Sequence, residues 1–270
     1  MTVYDTLTSY LTGKPPQADS PLYIAGVVDL TQPTFYVSIA SICFNPLFWN
    51  IVAQNEYHNK TITKILKGNR YLGCYGLAAT IFSLGILRDH IYNDALKHQP
   101  AHPLLQTLPV KALAVGLIAA GNVFVVSSMW ALGVTGTYLG DYFGILMDHI
   151  VTGFPFNVMA DPMYWGSSMS FAGVALWFGK PAGLLLTLVV ITAYTIALRF
   201  EGPFTAEIYA AAARKGHGSK SGSGKGSSSS SSDAQSLEGP PAHRTRAATG
   251  TTDSAPSTPS KRTRAKKGGK

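Results

Sequence analysis

The residues able to do chemistry in this sequence are a few carboxylates set beside long apolar runs. Asp141, Asp148 and Asp161 fall within Gly133 to Trp165, a stretch with no Lys or Arg and a high load of Gly, Pro and aromatics, and Glu201 follows the most continuous apolar run. An ionisable group beside a membrane core is costly to keep there and marks a functional site by default. Such a carboxylate can hold a cationic group or accept a proton, whereas the plainer reading of Glu201 is a solvated side chain just past a helix end. Tyr142, Tyr164 and Trp165 share the acidic stretch. Their faces can receive a cation or form an ordinary interfacial aromatic belt.

Other chemistries find little support. His90, His98, His102 and His149 lack a compact metal-ligand spacing, so no metal site is expected. Cys43 and Cys74 both sit inside apolar stretches and are too few for a disulfide framework. A nucleophile elbow, a phosphate loop and a Gly-rich dinucleotide fingerprint are all missing. Gly116 and Gly121 lie within one apolar segment, where small residues most often serve helix packing.

The elements that must carry these groups are membrane helices. With 46% hydrophobic and 13% charged residues, the chain is apolar and charge-poor for a soluble protein. Thr34 to Ala53 is long enough to cross a hydrocarbon core of about 30 Å, but Asn45 and Pro46 interrupt it, so the segment either crosses or lies in the membrane. Tyr71 to Leu87 and Ala112 to Leu132 read as spanning helices. Gly133 to Trp165 reads as an ordered interfacial loop, and Gly166 to Phe178 and Gly183 to Leu198, separated by Gly179-Lys180-Pro181, read as a hairpin of packed helices. The first twenty residues are polar and contain no apolar h-region, so insertion is expected to rely on the internal segments.

Charge is divided unevenly. Of the 22 Lys and Arg, 12 lie from Arg214 onward against three acids, so that segment carries +9 and the rest of the chain −1. Ser, Gly, Lys, Thr and Pro dominate there, a composition that buries too little apolar surface to fold. It lacks aromatic partners for base stacking, so nucleic acid is not an expected partner and an anionic membrane surface is. The expected organisation is a polar segment at 1–26, a membrane-embedded domain at 27–213 and a disordered basic tail at 214–270. The tail is placed in the cytosol by the positive-inside tendency, although four further basic residues between Glu56 and Arg70 complicate that count. The fold class is all-α integral membrane, with three or four transmembrane helices and a first helix that either adds to them or is only embedded.

Four stretches are more specific than composition: Phe44-Asn45-Pro46-Leu47-Phe48-Trp49-Asn50, Gly140-Asp141-Tyr142-Phe143-Gly144-Ile145-Leu146, Pro162-Met163-Tyr164-Trp165-Gly166-Ser167, and Pro203-Phe204-Thr205-Ala206-Glu207-Ile208-Tyr209. Through them, from roughly Val27 to Tyr209, the chain resembles the phosphatidylethanolamine N-methyltransferase family. The resemblance implies a multi-pass enzyme of the endoplasmic reticulum, or of a mitochondrial membrane, that moves methyl groups from S-adenosylmethionine to a phospholipid amine to make phosphatidylcholine. The long basic tail points to the fungal type, which starts from the monomethylated lipid. In that family a Gly-x-Gly element and a Glu-Glu pair hold the donor. They correspond here to Ala119-Ala120-Gly121 and Glu201-Gly202, each altered at one position.

Methyl transfer from a sulfonium to an amine is an in-line displacement that needs alignment, exclusion of water and a neutral nitrogen. No metal is needed. An ethanolamine-type amine is largely protonated at neutral pH, so a base must take its proton, and Glu201, Glu207 and Asp141 are the candidates. A lipid phosphate would need a basic partner, for which Arg88, Lys111 and Arg199 stand at helix ends, each also readable as a snorkelling side chain. A looser resemblance to isoprenylcysteine carboxyl methyltransferases leaves another membrane-bound acceptor as the first alternative, weakened by Ala160-Asp161-Pro162 where those enzymes carry Arg-His-Pro. A non-enzymatic scaffold or transporter is the second, and it does not account for the four motifs.

Overall fold

The computed structural model describes residues 23–24, 27–148 and 151–220. A hairpin of two-residue strands, β1 (Tyr23–Ile24) and β2 (Val28–Asp29), leads into a bundle of long helices. These are α1 (Pro33–Asn59), α3 (Arg70–Lys97), α4 (Leu108–Thr137), α5 (Pro162–Phe178) and α6 (Pro181–Lys220), with the single-turn α2 (Thr61–Ile65) between α1 and α3. Short 3-10 turns occur at Pro103–Gln106 and Gly140–Phe143. Four segments are long and apolar enough to cross a membrane: Pro33–Asn59, Arg70–Lys97, Leu108–Phe143 and Pro181–Ala212. Their outward faces are apolar; Trp130 is 90% exposed, and Phe44, Leu47, Phe82 and Val126 are also open. Hydrocarbon accounts for such faces, which water would penalise.

The first apolar segment is one unbroken 27-residue helix, so it joins the spanning helices instead of lying flat. Pro46 removes one backbone donor, but the polar residues beside it are used between helices. The Asn45 side chain, 3% exposed, donates to the carbonyl of Leu84 on α3 at 3.2 Å. Glu56, fully buried at the end of α1, accepts from the backbone N–H of Ile62 at 2.6 Å and from Thr63, which caps the turn into α2. The last helix also runs further than composition suggests. It passes through Pro203 and continues to Lys220, beyond the expected boundary at 213. The remainder of the expected tail, 221–270, and nearly all of the expected N-terminal segment lie outside the described residues.

Side-chain contacts fix the direction of each helix. Asn45 meets Leu84, Tyr92 bridges the carbonyls of Phe171 and Gly183 at 2.9 and 3.2 Å, and Arg88 reaches Tyr194. The α5 and α6 helices form the expected hairpin, closed by Gly179 in the left-handed conformation and Pro181 in the first turn. Successive helices α1, α3, α4, α5 and α6 therefore alternate in direction. One end of the bundle gathers the α1–α3 connection, residues 138–148 and 151–161 and the later turns of α6; the other gathers β2, residues 98–107 and the α5–α6 turn. The basic residues between Glu56 and Arg70 thus share an end with the C-terminal part of α6, and the two positive segments reinforce each other.

The tightest approach is between α4 and α5. A Cβ on Gly121 would lie 2.4 Å from the carbonyl oxygen of Gly166 and 2.5 Å from Ser170 Oγ, and a Cβ on Gly166 would lie 2.6 Å from the carbonyl of Gly121. Only glycine lets the two backbones touch there, as small residues do in membrane helix pairs. Gly116, in the same helix, has nothing within 4 Å of such a Cβ. Gly133, at φ 64° and ψ −178°, interrupts α4 in a region that is essentially confined to glycine and costs other residues about 1–3 kcal/mol.

The two glycines of α4 should therefore respond oppositely to one methyl group. Gly121→Ala is expected to destabilise the bundle by about 1–3 kcal/mol through overpacking. Gly116→Ala should be neutral or stabilising by up to about 1 kcal/mol through helix propensity. Thermal unfolding midpoints in detergent would show this; equal effects would remove the backbone contact as the cause.

Candidate active site

Glu201 is neither solvated nor past a helix end. It lies within α6, 8% exposed, between α1, α5 and α6. Its Oε1 accepts from Trp49 Nε1 at 2.6 Å and Asn50 Nδ2 at 2.8 Å, and its Oε2 accepts from the Tyr164 hydroxyl at 2.6 Å. Hydrogen bonds to an ionised acceptor are the strong ones, and a carboxylate inside a helix bundle requires them. Each donor comes from one of the specific motifs: Trp49 and Asn50 from 44–50, Tyr164 from 162–167.

Two cavities meet at this carboxylate. The larger, about 430 Å³, includes Trp49, Arg88, Asn122, Tyr164 and Tyr194 in its walls. It lies between α3 and α4, where Phe82 and Ile86 are 54% and 58% exposed and Asn122 is also open, so it faces sideways toward lipid. The smaller, about 140 Å³, is lined by Asp141, Asp161, Thr205 and Tyr209 among others, with no Lys or Arg. Thr137, Leu139, Met163, Tyr164 and Glu201 belong to both walls. The break at Gly133 precedes the turn of α4 that supplies Thr137, whose hydroxyl is buried without a hydrogen-bond partner. The amide oxygen of Asn50, whose nitrogen serves Glu201, is likewise unpartnered. An acidic cavity with the orphaned Thr137 hydroxyl in its wall suits a cationic ligand with hydroxyl and amine groups.

The sequence-derived candidates separate clearly. Glu201 lines both cavities, Asp141 only the smaller. Glu207 is exposed and lines neither. Of the stretch matched to the Gly-x-Gly element, Ala119 is exposed, Ala120 is half-buried and Gly121 packs on α5; none reaches a cavity wall, although the following Asn122 does. Gly202 is half-buried and also outside both. Tyr164 stands inside the site, whereas Tyr142 is fully buried and stacked on Phe204 at 5.1 Å between ring centres, and Trp165 is half exposed. Among the basic candidates, Arg88 lines the larger cavity, Lys111 lies over the Trp177 ring at 5.8 Å, and Arg199 is exposed.

Trp49, Asn50, Thr137 and Tyr194 were not singled out as site residues from the sequence. The first two carried a signal, as polar groups inside an apolar run, but the run's interruption drew the attention that belonged to them. Thr137 carried none, because a lone Ser or Thr hydroxyl in an apolar helix ordinarily bonds its own backbone, and Tyr194 read as an ordinary aromatic of a membrane segment.

Comparison with known proteins identifies the family. The sequence model of the family described as phospholipid methyltransferase matches residues 110–212. A phosphatidyl-N-methylethanolamine N-methyltransferase of Neurospora crassa is 56% identical over 201 residues, covering 72% of this chain and 94% of the relative. One from Saccharomyces cerevisiae is 58% identical over 183 residues, covering 68% and 88%. The phosphatidylethanolamine N-methyltransferase of Homo sapiens is 44% identical over 194 residues, covering 72% and 97%. No solved structure matches the chain. With coverage and identity of this order across fungi and mammals, the chain belongs to the phospholipid methyltransferase family.

Proposed function

We propose that this chain transfers methyl groups from S-adenosylmethionine to the headgroup amine of phosphatidyl-N-methylethanolamine and phosphatidyl-N,N-dimethylethanolamine, producing phosphatidylcholine. The observation that carries the reading is the position of Glu201, on the shared wall of an acidic cavity and a lipid-facing one. The fungal relatives named for the monomethylated lipid, at 56% and 58% identity against 44% for the human protein, support that lipid as the first acceptor.

The donor supplies a methyl group on a sulfonium. Glu201, fixed by three donors, provides the negative charge that balances it, and Asp141, Thr137 and Thr205 offer acceptors for its amino and hydroxyl groups. Asp141 stands in the wall of the smaller cavity, where its carboxylate accepts from the N–H of Tyr142 at 3.1 Å and from the Thr205 hydroxyl, and we assign it the amine proton. The nitrogen then uses its lone pair to take the methyl while the sulfur keeps the bonding electrons. The rings of Tyr164 and Tyr194, 4.9 Å apart, give the methylated ammonium a cation–π surface. Gly121 serves the site indirectly, by setting the separation of α4 and α5.

The family resemblance supports a multi-pass location in the endoplasmic reticulum, with a mitochondrial membrane as the other setting. The end of the bundle that holds the 56–70 connection and the C-terminal part of α6 faces the cytosol by its positive charge. In sealed microsomes lacking Cys43, Lys64→Cys should react with a membrane-impermeant maleimide at once. His102→Cys should react only after permeabilisation, and the reverse pattern would invert this orientation.

Labelled methyl transfer to the unmethylated, mono- and dimethylated lipids tests the activity. Label is expected in the products of the last two acceptors, and no label in any lipid with folded protein would sink the proposal. Glu201→Gln should raise the KM for the donor at least about tenfold, and Asp141→Asn should lower kcat by roughly 100-fold or more, the order lost with a general base. Glu207→Gln should stay within about twofold of wild type, since surface changes away from a site have small effects.

A further inference from the structure

The guanidinium of Arg88 is the feature the methyl-transfer chemistry leaves unused. Its side chain is 11% exposed, within a segment that spans the membrane. Nε and one terminal nitrogen donate to Asp89 Oδ1 at 3.0 and 2.9 Å, the other terminal nitrogen donates to the Tyr194 hydroxyl, and the group lies 4.8 Å from the centre of the Phe171 ring. An arginine has five N–H donors in a fixed fork. Three are used, and the other two have no partner among the described residues, although the group lines the 430 Å³ cavity. A buried charge is normally fully bonded, so two open donors facing a cavity define half of an anion site.

Resting on the proposed function, we propose that Arg88 binds the phosphate of the acceptor phospholipid, which enters sideways between α3 and α4. Guanidinium and phosphate match as a fork and two oxygens. The spacing supports the same lipid. Tyr194, which holds Arg88, precedes Glu201 by seven residues on α6, about 10 Å along the axis. The Tyr194 and Tyr164 rings fill that interval, and Tyr164 bonds Glu201. A headgroup held by its phosphate at Arg88 would run its amine along these two rings to the carboxylate, with the acyl chains leaving through the apolar gap beside Phe82 and Ile86. Asp89, 56% exposed at its side chain, holds other donors of the same guanidinium and opposes the phosphate by its like charge. It therefore sets an upper limit on how tightly the lipid is held, which suits an enzyme that must release its product.

The full-length protein in mixed micelles, with phosphatidyl-N-methylethanolamine varied in surface mole fraction, tests the assignment. Arg88→Gln should raise the KM for lipid at least tenfold while the KM for S-adenosylmethionine stays within twofold. Tyr194→Phe, a smaller change that keeps the ring, should raise the lipid KM several-fold even if Arg88→Gln fails to fold. Asp89→Asn should lower it. A lipid KM unchanged in Tyr194→Phe and in folded Arg88→Gln, or a rise in Asp89→Asn, would reduce Arg88 to a structural ion pair and overturn the proposal. Competition by inorganic phosphate against lipid in the wild type would instead assign the fork to free phosphate and overturn the lipid. If the wild type methylates no phospholipid, the proposed function fails first; if it does and the variants match it, only the phosphate site fails.

Discussion

Inside hydrocarbon there is no water to solvate a carboxylate, and the placement of Glu201 within the bundle constrains almost everything around it. Its two oxygens draw donors from α1 and α5 onto α6. Those bonds are possible only with α1 passing through the membrane at full length and with α5 turned so that Tyr164 faces inward. Rotating any of the three helices by one residue, about 100°, would strand a charge. The register of the bundle is therefore set by polar contacts together with the apolar core around Phe35, Tyr92, Phe171 and Leu186.

Around this point the structure divides labour by helix. The pair α4 and α5 meets backbone to backbone at Gly121 and Gly166, and its ends supply the acidic cavity. The wall made by α3 carries polar groups that reach across to other helices: Cys74 toward the Tyr138 carbonyl, Arg88 toward Tyr194, Tyr92 toward two carbonyls. Between α3 and α4 the contact is sparse and the larger cavity opens. One carboxylate is thus reached from two sides, through an acidic cavity and through a lipid-facing one.

Apolar run lengths, turn residues and the collapse of composition near the C-terminus made the helical membrane fold and the α5–α6 hairpin legible in the sequence. The four motifs made the family legible; Asp141 lies in one of them, and Glu201 was singled out through the family's acidic pair. Asn45-Pro46 left the first segment open between crossing and lying in the membrane, and Glu201 had a helix-end reading beside the functional one, because a polar group in an apolar run is ambiguous until its partner is known. The partners, Leu84 for Asn45 and Trp49, Asn50 and Tyr164 for Glu201, lie 37 to 152 residues away in sequence. No local pattern encodes contacts of that range. Gly121 shows the reverse case: its type was informative, but its two roles, packing and ligand approach, differ only in which neighbour it faces.

The contrast between the glycine contact and the open gap has a mechanical consequence. Two backbones touching without intervening side chains have no rotamers to rearrange, so that side of the site is stiff. The opposite side, bounded by α3 and bathed in lipid chains, is compliant. A headgroup that grows by one methyl at each turnover must find its extra volume somewhere, and it can find it only on the yielding side. Tolerance for successive acceptors of increasing bulk is then a property of the soft wall, achieved without loosening the rigid one that aligns the reacting groups.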